Sequence, residues 1–129
     1  MTNSMSDRVN AFFPAPGVVD YCAVEAALTN LTKALSKEFG RQGIRANSIR
    51  PGPVRTDLWL GSGGVAETVA QASGTSAQEV ADQAVAAAPT GRFTTLDEVA
   101  DLVLFLASDR AANITGADMR IDGGFITTV

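Results

Sequence analysis

Apolar residues recur every three or four positions between residues 21 and 39 of the chain. This spacing predicts a helix with one apolar face, formed by Val24, Leu28, Leu31, Leu35 and Phe39. Asp20 is the predicted N-cap, and Gly40 is the predicted left-handed residue just past the helix end. By itself, the pattern indicates a core helix.

Two further helices are marked by capping boxes, in which a Ser or Thr and a Glu satisfy each other's backbone N–H groups. The first box, at residues 76–79, predicts a helix that runs to about Ala88. The second box, at residues 95–98, predicts a helix that ends near Ser108. One face of this last helix is apolar and carries Val99, Leu102, Val103 and Leu106.

Two short segments have the pattern of β-strands. Residues 44–49 are followed by Pro-Gly-Pro at 51–53, and residues 118–122 lead into a pair of glycines. A helix, a short loop, a strand and a turn in this order are typical of α/β units. If the two strands pair in parallel, both edges of the sheet stay exposed and the sheet is not stable by itself. We therefore expect the chain to form part of an α/β domain, or to need a partner.

The remaining stretches show little regular pattern. Residues 1–20 are predicted to be irregular, because they begin with a polar run and then carry two prolines and a glycine. Residues 55–75 are the least regular stretch between the predicted elements. They contain the single Trp, Trp59, between two leucines, followed by a glycine-rich patch.

Composition excludes several classes of function. The 129 residues include 14 Asp and Glu against 10 Lys and Arg, with one Cys and no His. Without His, neither a Ser-His-Asp or Cys-His site nor a His-based metal site can form, so we expect no metal. The acidic balance argues against a nucleic-acid partner, and no apolar run approaches the roughly 20 residues of a membrane span. With no signal-peptide pattern and no disulfide, a cytoplasmic protein is expected.

Several short motifs occur in a specific order along residues 9–125. They are YCAVEAAL at 21–28, GIRAN at 43–47, RPGPVRT at 50–56, GR at 91–92 with EVA at 98–100, FLAS at 105–108, TG at 115–116 and DGG at 122–124. In this order they resemble the C-terminal half of the short-chain dehydrogenase/reductase family. The resemblance implies an α/β fold with a Rossmann-like, doubly wound parallel sheet. Residues 1–129 would form a single partial domain, so that the sheet is incomplete in this chain.

The resemblance further implies hydride transfer between NAD or NADP and an alcohol or carbonyl substrate. In the family, a Lys one helical turn after the catalytic Tyr stabilises the phenolate and holds the nicotinamide ribose, and a Ser upstream orients the substrate. Tyr21 matches the catalytic Tyr, whereas Glu25 stands at the Lys position and Arg8 at the Ser position. A carboxylate at position 25 would disfavour the phenolate, the reverse of the effect of a Lys.

The resemblance also places the nicotinamide against the segment that follows the first predicted strand. The implied cofactor-binding residues are Pro51, Gly52, Val54 and Thr56. Residues 55–75 match the family's substrate lid, in which residues 58–60 (Leu-Trp-Leu) either face an apolar substrate or pack the lid itself. The sequence has no Gly-rich dinucleotide fingerprint ahead of a helix, so the choice between NAD and NADP stays open.

Three accounts of function follow from these observations. In the first, the chain is a truncated or diverged oxidoreductase that is inactive or weakly active on its own, and a misplaced gene start would produce the same pattern. In the second, a separate N-terminal chain completes the enzyme. In the third, the chain is a non-catalytic module that pairs with intact relatives through the helix at 21–39, which builds subunit interfaces in the family. The expected partners are a second copy or a complementary chain, and a small-molecule substrate.

Overall fold

A computed structural model describes residues 19–127 of the chain and has the predicted α/β organisation. Its elements are α1 (Val19–Phe39), β1 (Ser48–Pro51), α2 (Asp57–Leu60), α3 (Val65–Ser73), α4 (Ala77–Ala86), α5 (Leu96–Ala107) and β2 (Asp118–Ile121). Short 3-10 turns follow α1 at Gly40–Gln42 and α5 at Asp109–Ala111. Within residues 19–127, no helix is both long and apolar enough to span a membrane.

The two strands pair in parallel, as the sequence predicts, and form a two-stranded sheet in the described part of the chain. The register aligns Ser48 with Asp118 and Arg50 with Arg120. Because consecutive strands can run in parallel only when a crossover connects them, the long segment from α2 to α5 serves as that connection. The described residues therefore contain only part of an α/β sheet.

The segment just before β1 is held largely by side chains, together with one backbone hydrogen bond from the N–H of Gly116 to the carbonyl of Ala46 at 2.6 Å. The sequence pattern predicts a strand over residues 44–49, but regular pairing begins only after Asn47. Arg45 and Asn47 both donate to the carbonyl oxygen of Ile114, at 3.2 and 3.0 Å. Asn47 also accepts the backbone N–H of Ala117 at 3.0 Å. Most of these bonds come from side chains, and the regular strand β1 lies further along the chain than predicted.

Helix α1 begins two residues earlier than the spacing predicts and ends at Phe39, as predicted. Asp20 therefore lies in the first turn and not at the N-cap, and its carboxylate accepts the backbone N–H of Tyr21 at 2.9 Å. Gly40 is not the left-handed residue after the helix, because it opens a 3-10 turn. Gly43 takes that conformation instead, with φ 79°, and donates to the Gly40 carbonyl at 3.1 Å.

The buried side of α1 is made of small and polar side chains. Cys22, Thr32 and Ser36 are buried. The hydroxyls of Thr32 and Ser36 donate to carbonyls of their own helix at 2.9 and 2.8 Å, so neither hydroxyl is left unpaired. The loop before β2 comes so close that a Cβ on Gly116 would collide with Ser36 Oγ. Larger residues on this side would hold the helix away from the loop.

The apolar face of α1 points away from the described core. Its first four members are 39–64% exposed; we call Val24, Leu28, Leu31 and Leu35 the α1 apolar stripe. The interpretation of this face as a core face is therefore wrong for residues 19–127. Hydrophobic spacing located the helix correctly, but the side that packs is selected by small side chains, which allow a close approach.

Both predicted capping boxes are confirmed at the starts of α4 and α5. Ser76 Oγ accepts the N–H of Glu79 at 3.2 Å, and the Glu79 carboxylate accepts the N–H of Ser76 at 2.9 Å. Thr95 and Glu98 form the same pair at 3.2 and 2.8 Å. Glu98 also binds the Arg92 guanidinium at 2.6 Å. That bond, followed by the bond from the Thr95 backbone, lowers the pKa of Glu98 to about 2.

Residues 55–75 contain two helices, α2 and α3, where the sequence pattern predicts little regular structure. Trp59 of α2 is 6% exposed and packs edge-on against Phe93, with ring centroids 5.7 Å apart. The same buried cluster includes Ala81 and Val85 of α4. Of the two interpretations of Trp59, packing of this segment is the one that the structure supports, because the indole is enclosed by neighbouring helices.

Replacing Glu98 with Gln (E98Q) should lower the melting temperature at pH 7, since it keeps an acceptor for Thr95 but removes the charge that pairs with Arg92. The folded-state pKa of Glu98 lies below its ordinary value of 4.5. Its stabilising contribution is therefore present above that value and is lost as the pH falls towards about 2. Thermal unfolding followed by circular dichroism should show the difference between the wild type and E98Q narrowing over this range.

The matched control for this measurement is E79Q. Glu79 has the same capping position in α4, but its lowered pKa comes from hydrogen bonds with Ser76 and not from an arginine. E79Q should therefore lower the melting temperature at pH 7 by less than E98Q does. A difference between the wild type and E98Q that stays constant from neutral pH to about pH 2 would contradict the assignment.

Candidate active site

Tyr21 and Glu25 lie one helical turn apart on α1, so their side chains share one face of the helix. Both residues are partly buried. Glu25 Oε2 lies 3.9 Å from Nη1 of Arg50, and the Glu25 side chain is 15% exposed. The position at which the resemblance implies a lysine therefore carries a carboxylate that faces a buried cation.

Arg50 lies within β1 and is 3% exposed. Its Nε donates to both carboxylate oxygens of Asp118 on β2, at 2.8 and 2.6 Å, and its Nη2 donates to Thr29 Oγ1 on α1. Ser48 Oγ also donates to Asp118, at 2.5 Å. One guanidinium thus connects α1, β1 and β2. We call Glu25, Thr29, Ser48, Arg50 and Asp118 the Arg50 network.

Contacts along α1 set its direction relative to the sheet. Ser36, in the C-terminal part of the helix, lies against Gly116, which precedes β2. Glu25 faces Arg50 near the carboxyl end of β1. Tyr21 lies one turn further in the same direction, about 6 Å along the helix axis, and is therefore displaced towards the carboxyl ends of the strands. Ligands of open α/β sheets bind in the crevice at that end.

The segment directly after β1 is held tightly against the end of β2. The N–H of Gly52 donates to the carbonyl of Ile121 at 3.0 Å. A Cβ at Gly52 would lie 2.9 Å from Cα of Asp122, closer than real Cβ contacts. Asp122 in turn accepts the backbone N–H groups of Gly124 and Ile126, at 2.9 and 3.0 Å. Glycine at position 52 lets the two strand ends approach to this distance.

Val54 and Thr56 continue the chain from this point. Val54 forms a parallel bridge with Thr94, which exchanges backbone hydrogen bonds of 2.9 Å with Pro53 and Arg55. Thr56 stands in an extended conformation just before α2, and its hydroxyl donates to the Val54 carbonyl at 3.4 Å without capping the helix. A hydroxyl can make further hydrogen bonds as an acceptor, so Thr56 has capacity for a ligand.

The candidate residues implied by the sequence are thus distributed as follows. Pro51, the last residue of β1, and Gly52, Val54 and Thr56, which follow it, lie together at the carboxyl end of that strand. Tyr21 approaches the same end from α1, whereas Arg8 lies outside the described residues. In the part of the chain that the structure describes, no group of three or more His, Cys, Asp or Glu side chains is arranged to hold a metal ion.

Sequence reasoning missed the Arg50 network. Two features pointed towards it: an arginine at the edge of a predicted strand, and a threonine one turn after Glu25 on the same helix face, Thr29. Neither feature identifies Asp118 as the main partner of Arg50, because the two residues are 68 positions apart. Only the parallel pairing of β1 and β2 brings them together.

The chain matches the model of a protein family described as enoyl-(acyl carrier protein) reductase over residues 5–126. It is similar to 4-formylbenzenesulfonate dehydrogenase from Comamonas testosteroni, with 38% identity over 111 residues. That alignment covers 86% of this chain and 40% of the relative. The chain therefore spans about two fifths of the length of the curated relatives that it matches.

Solved structures superpose on the described fold. A short chain dehydrogenase family protein from Francisella tularensis is 30% identical, with a TM-score of 0.85, and the match covers 95% of this chain and 50% of that one. L-sorbose reductase from Gluconobacter frateurii, solved in complex with NADPH and L-sorbose, is 28% identical with a TM-score of 0.84. That match covers 95% of this chain and 46% of the reductase. The described fold corresponds to a partial Rossmann-like domain.

Replacing Gly52 with Ala (G52A) should destabilise the fold by about 1–3 kcal/mol, the usual cost of forcing a methyl group into a packed site. The added Cβ would meet the backbone of Asp122, which cannot rotate away as a flexible side chain would. Urea unfolding measures the change. The control is G40A, since a Cβ at Gly40 meets nothing within 4 Å and should change stability by less than about 0.5 kcal/mol. Equal stability of G52A and the wild type would refute the close approach of the strand ends.

Proposed function

The chain belongs to the short-chain dehydrogenase/reductase family, and we propose that it takes part in hydride transfer between a nicotinamide cofactor, NAD or NADP, and an alcohol or carbonyl substrate. Its relatives include dehydrogenases and the L-sorbose reductase whose structure contains NADPH. Because the chain spans about two fifths of such relatives, the activity and substrate of the whole protein belong to this proposal. We place the activity in the cytoplasm, in keeping with the single cysteine.

Tyr21 is the residue to which we assign proton transfer at the substrate oxygen. A phenol has an ordinary pKa of about 10, so a catalytic tyrosine that works near neutral pH needs a neighbouring cation to favour its phenolate. The side chain one turn away is the Glu25 carboxylate, held 3.9 Å from Arg50. This contact is the observation that carries the proposal: a negative charge at this place disfavours the phenolate, so activity at neutral pH is weak or absent.

We propose that four residues at the end of β1 and directly after it contact the cofactor: Pro51, Gly52, Val54 and Thr56. Their place at the carboxyl end of a parallel strand supports this role. Val54 offers partly buried apolar surface and Thr56 a hydroxyl with spare acceptor capacity, which together suit a flat ring that carries an amide. Glu25 does not fit the ribose-binding role of the family's lysine, because its carboxylate faces Arg50. When bound, the cofactor would donate or accept the hydride.

The purified chain, assayed with NADH or NADPH and a panel of ketones and aldehydes, should turn over at least about 100-fold more slowly than an intact relative, since a missing acid–base function costs this much or more. Cofactor absorbance measures the rate. Y21F should remove whatever turnover remains, because the phenol oxygen is the proposed proton carrier. Turnover comparable to that of the intact relative would overturn the proposal of weak activity.

A second candidate function is association, and the α1 apolar stripe favours it. Four large apolar side chains on one helix face are 39–64% exposed. Contiguous exposed apolar surface of this kind marks sites of protein–protein contact. We propose that the stripe pairs with a second copy of the chain or with an intact relative, so that the chain serves as an oligomerisation module even where its chemistry is weak.

A complementary chain could also join the sheet. Within residues 19–127, β1 pairs only with β2, which leaves its other edge open to another strand. Beside β1 lies an open groove of about 400 Å³, lined by Arg45, Asn47, Ile49, Val103, Leu106 and Ala107. An added strand and helix would cover this groove, as expected if a separate N-terminal half completes the domain.

Light scattering after size exclusion should give a mass of at least twice the 13.4 kDa of one chain. The double change L28E/L31E places two charges on the α1 apolar stripe and should shift the protein to a monomer, because burying them in a contact would be costly. L58E is the matched control, since Leu58 is 66% exposed on a different helix. A wild-type chain that is a monodisperse monomer would exclude self-association.

A further inference from the structure

The Arg50 network holds three ionised groups in one mostly buried volume. Glu25 and Asp118 contribute two carboxylates, with side chains 15% and 18% exposed, and Arg50 contributes one guanidinium that is 3% exposed. At neutral pH these groups sum to one negative charge. The hydroxyls of Thr29 and Ser48 complete the set as neutral partners. The charge at position 25 therefore cannot be considered apart from its neighbours.

The guanidinium is committed in three directions. Its Nε binds Asp118 at 2.6 and 2.8 Å, its Nη2 binds Thr29, and its Nη1 faces Glu25 at 3.9 Å. Because the group is planar and rigid, satisfying the first two directions fixes the third. The Glu25 carboxylate is thus held in place by an opposite charge that is itself anchored to the other strand.

These contacts make positions 25 and 50 interdependent. A lysine at position 25 would bring an ammonium close to the buried guanidinium, and like charges repel strongly where water is excluded. Removing Arg50 alone would leave Glu25 and Asp118 as two carboxylates without the cation between them. A lysine at 25 combined with a neutral residue at 50 would instead leave one ammonium and one carboxylate, which is a balanced pair.

We propose that Arg50 is a positioning residue for the Tyr21 site: it selects a carboxylate over a lysine at position 25 and so maintains a negative charge one helical turn from the Tyr21 phenol. The catalytic meaning of this inference rests on the proposed role of Tyr21, whereas the coupling of positions 25 and 50 is a property of the fold. It follows that Glu25→Lys alone does not convert the site to the family's arrangement, because Arg50 must change with it.

A double-mutant comparison of melting temperatures in the full chain tests the coupling. E25K and R50Q should each lower the melting temperature by several degrees. The double variant E25K/R50Q should have a higher melting temperature than R50Q. Its melting temperature should also be higher than the sum of the two single decreases would give. E38K is the control, because it makes the same substitution at an exposed site of α1 and should have little effect.

Three results would overturn the coupling. They are additive losses in the double variant, an E25K variant as stable as the wild type, and a double variant that does not fold. If R50Q alone fails to fold, a folded E25K/R50Q still supports the proposal, since the lysine then supplies the cation that Asp118 has lost.

A second measurement reads the charge at the site itself. Tyr21 is the only tyrosine of the chain, so the ultraviolet absorbance of the phenolate reports on this residue alone. E25Q removes the negative charge but keeps the Arg50–Asp118 pair. In E25Q, Tyr21 should titrate at a pH about half a unit or more below that of Tyr21 in the wild type. In E25K/R50Q, Tyr21 should titrate at a lower pH still. Asp20, whose carboxylate binds the Tyr21 N–H, is unchanged throughout.

E38Q serves as the control for the titration and should leave the midpoint of Tyr21 unchanged. Equal midpoints in the wild type, E25Q and E25K/R50Q, with circular dichroism showing all three folded at the pH of the titration, would overturn the inference. Neither measurement uses a cofactor. A chain that shows the coupling but binds neither NADH nor NADPH keeps this inference and loses the proposed function, so the two failures are distinguishable.

Discussion

The buried ion pair between Arg50 and Asp118 is the interaction on which the arrangement of the site depends. It joins two parallel strands, and its two partners are 68 positions apart in the sequence. The same guanidinium contacts Thr29 and Glu25 on α1. A buried ion pair adds little net stability when compared with apolar packing, but breaking it by removing one partner is costly. The network therefore acts as a constraint on geometry: it fixes where α1 stands relative to the carboxyl end of β1.

The packing of α1 depends on a close approach between the helix and the loop before β2. Its inner side carries Cys22, Thr32 and Ser36, and the Gly116 loop lies directly against Ser36. A leucine on that side would separate helix and loop, so the large apolar residues occupy the outer side. A helix that turns its leucines outward in a chain spanning about two fifths of its relatives has surface available for a further subunit or segment, which connects packing to the association that we propose.

The proposed site combines a helix start with the ends of two strands. Tyr21 lies in the first turn of α1, and at the strand ends Gly52 packs on Asp122. Position 25, where the resemblance implies a lysine, carries a carboxylate, and Arg50 provides the cation that makes this charge tolerable in a mostly buried setting. Because the pKa of a phenol depends on the charges around it, the charge at position 25 affects the expected chemistry more than the fold.

The sequence by itself determined the features that rest on local physics. Capping boxes located the starts of α4 and α5, and helical spacing located α1. The family resemblance implied the parallel sheet, which the pairing of β1 and β2 bears out. Motif order identified the family and the candidate residues Tyr21 and Glu25. Only the tertiary structure decided which side of α1 is buried, that Trp59 packs against α4 and Phe93, and that Glu25 faces Arg50. These depend on contacts between residues distant in sequence, and neither periodicity nor composition records which distant groups meet.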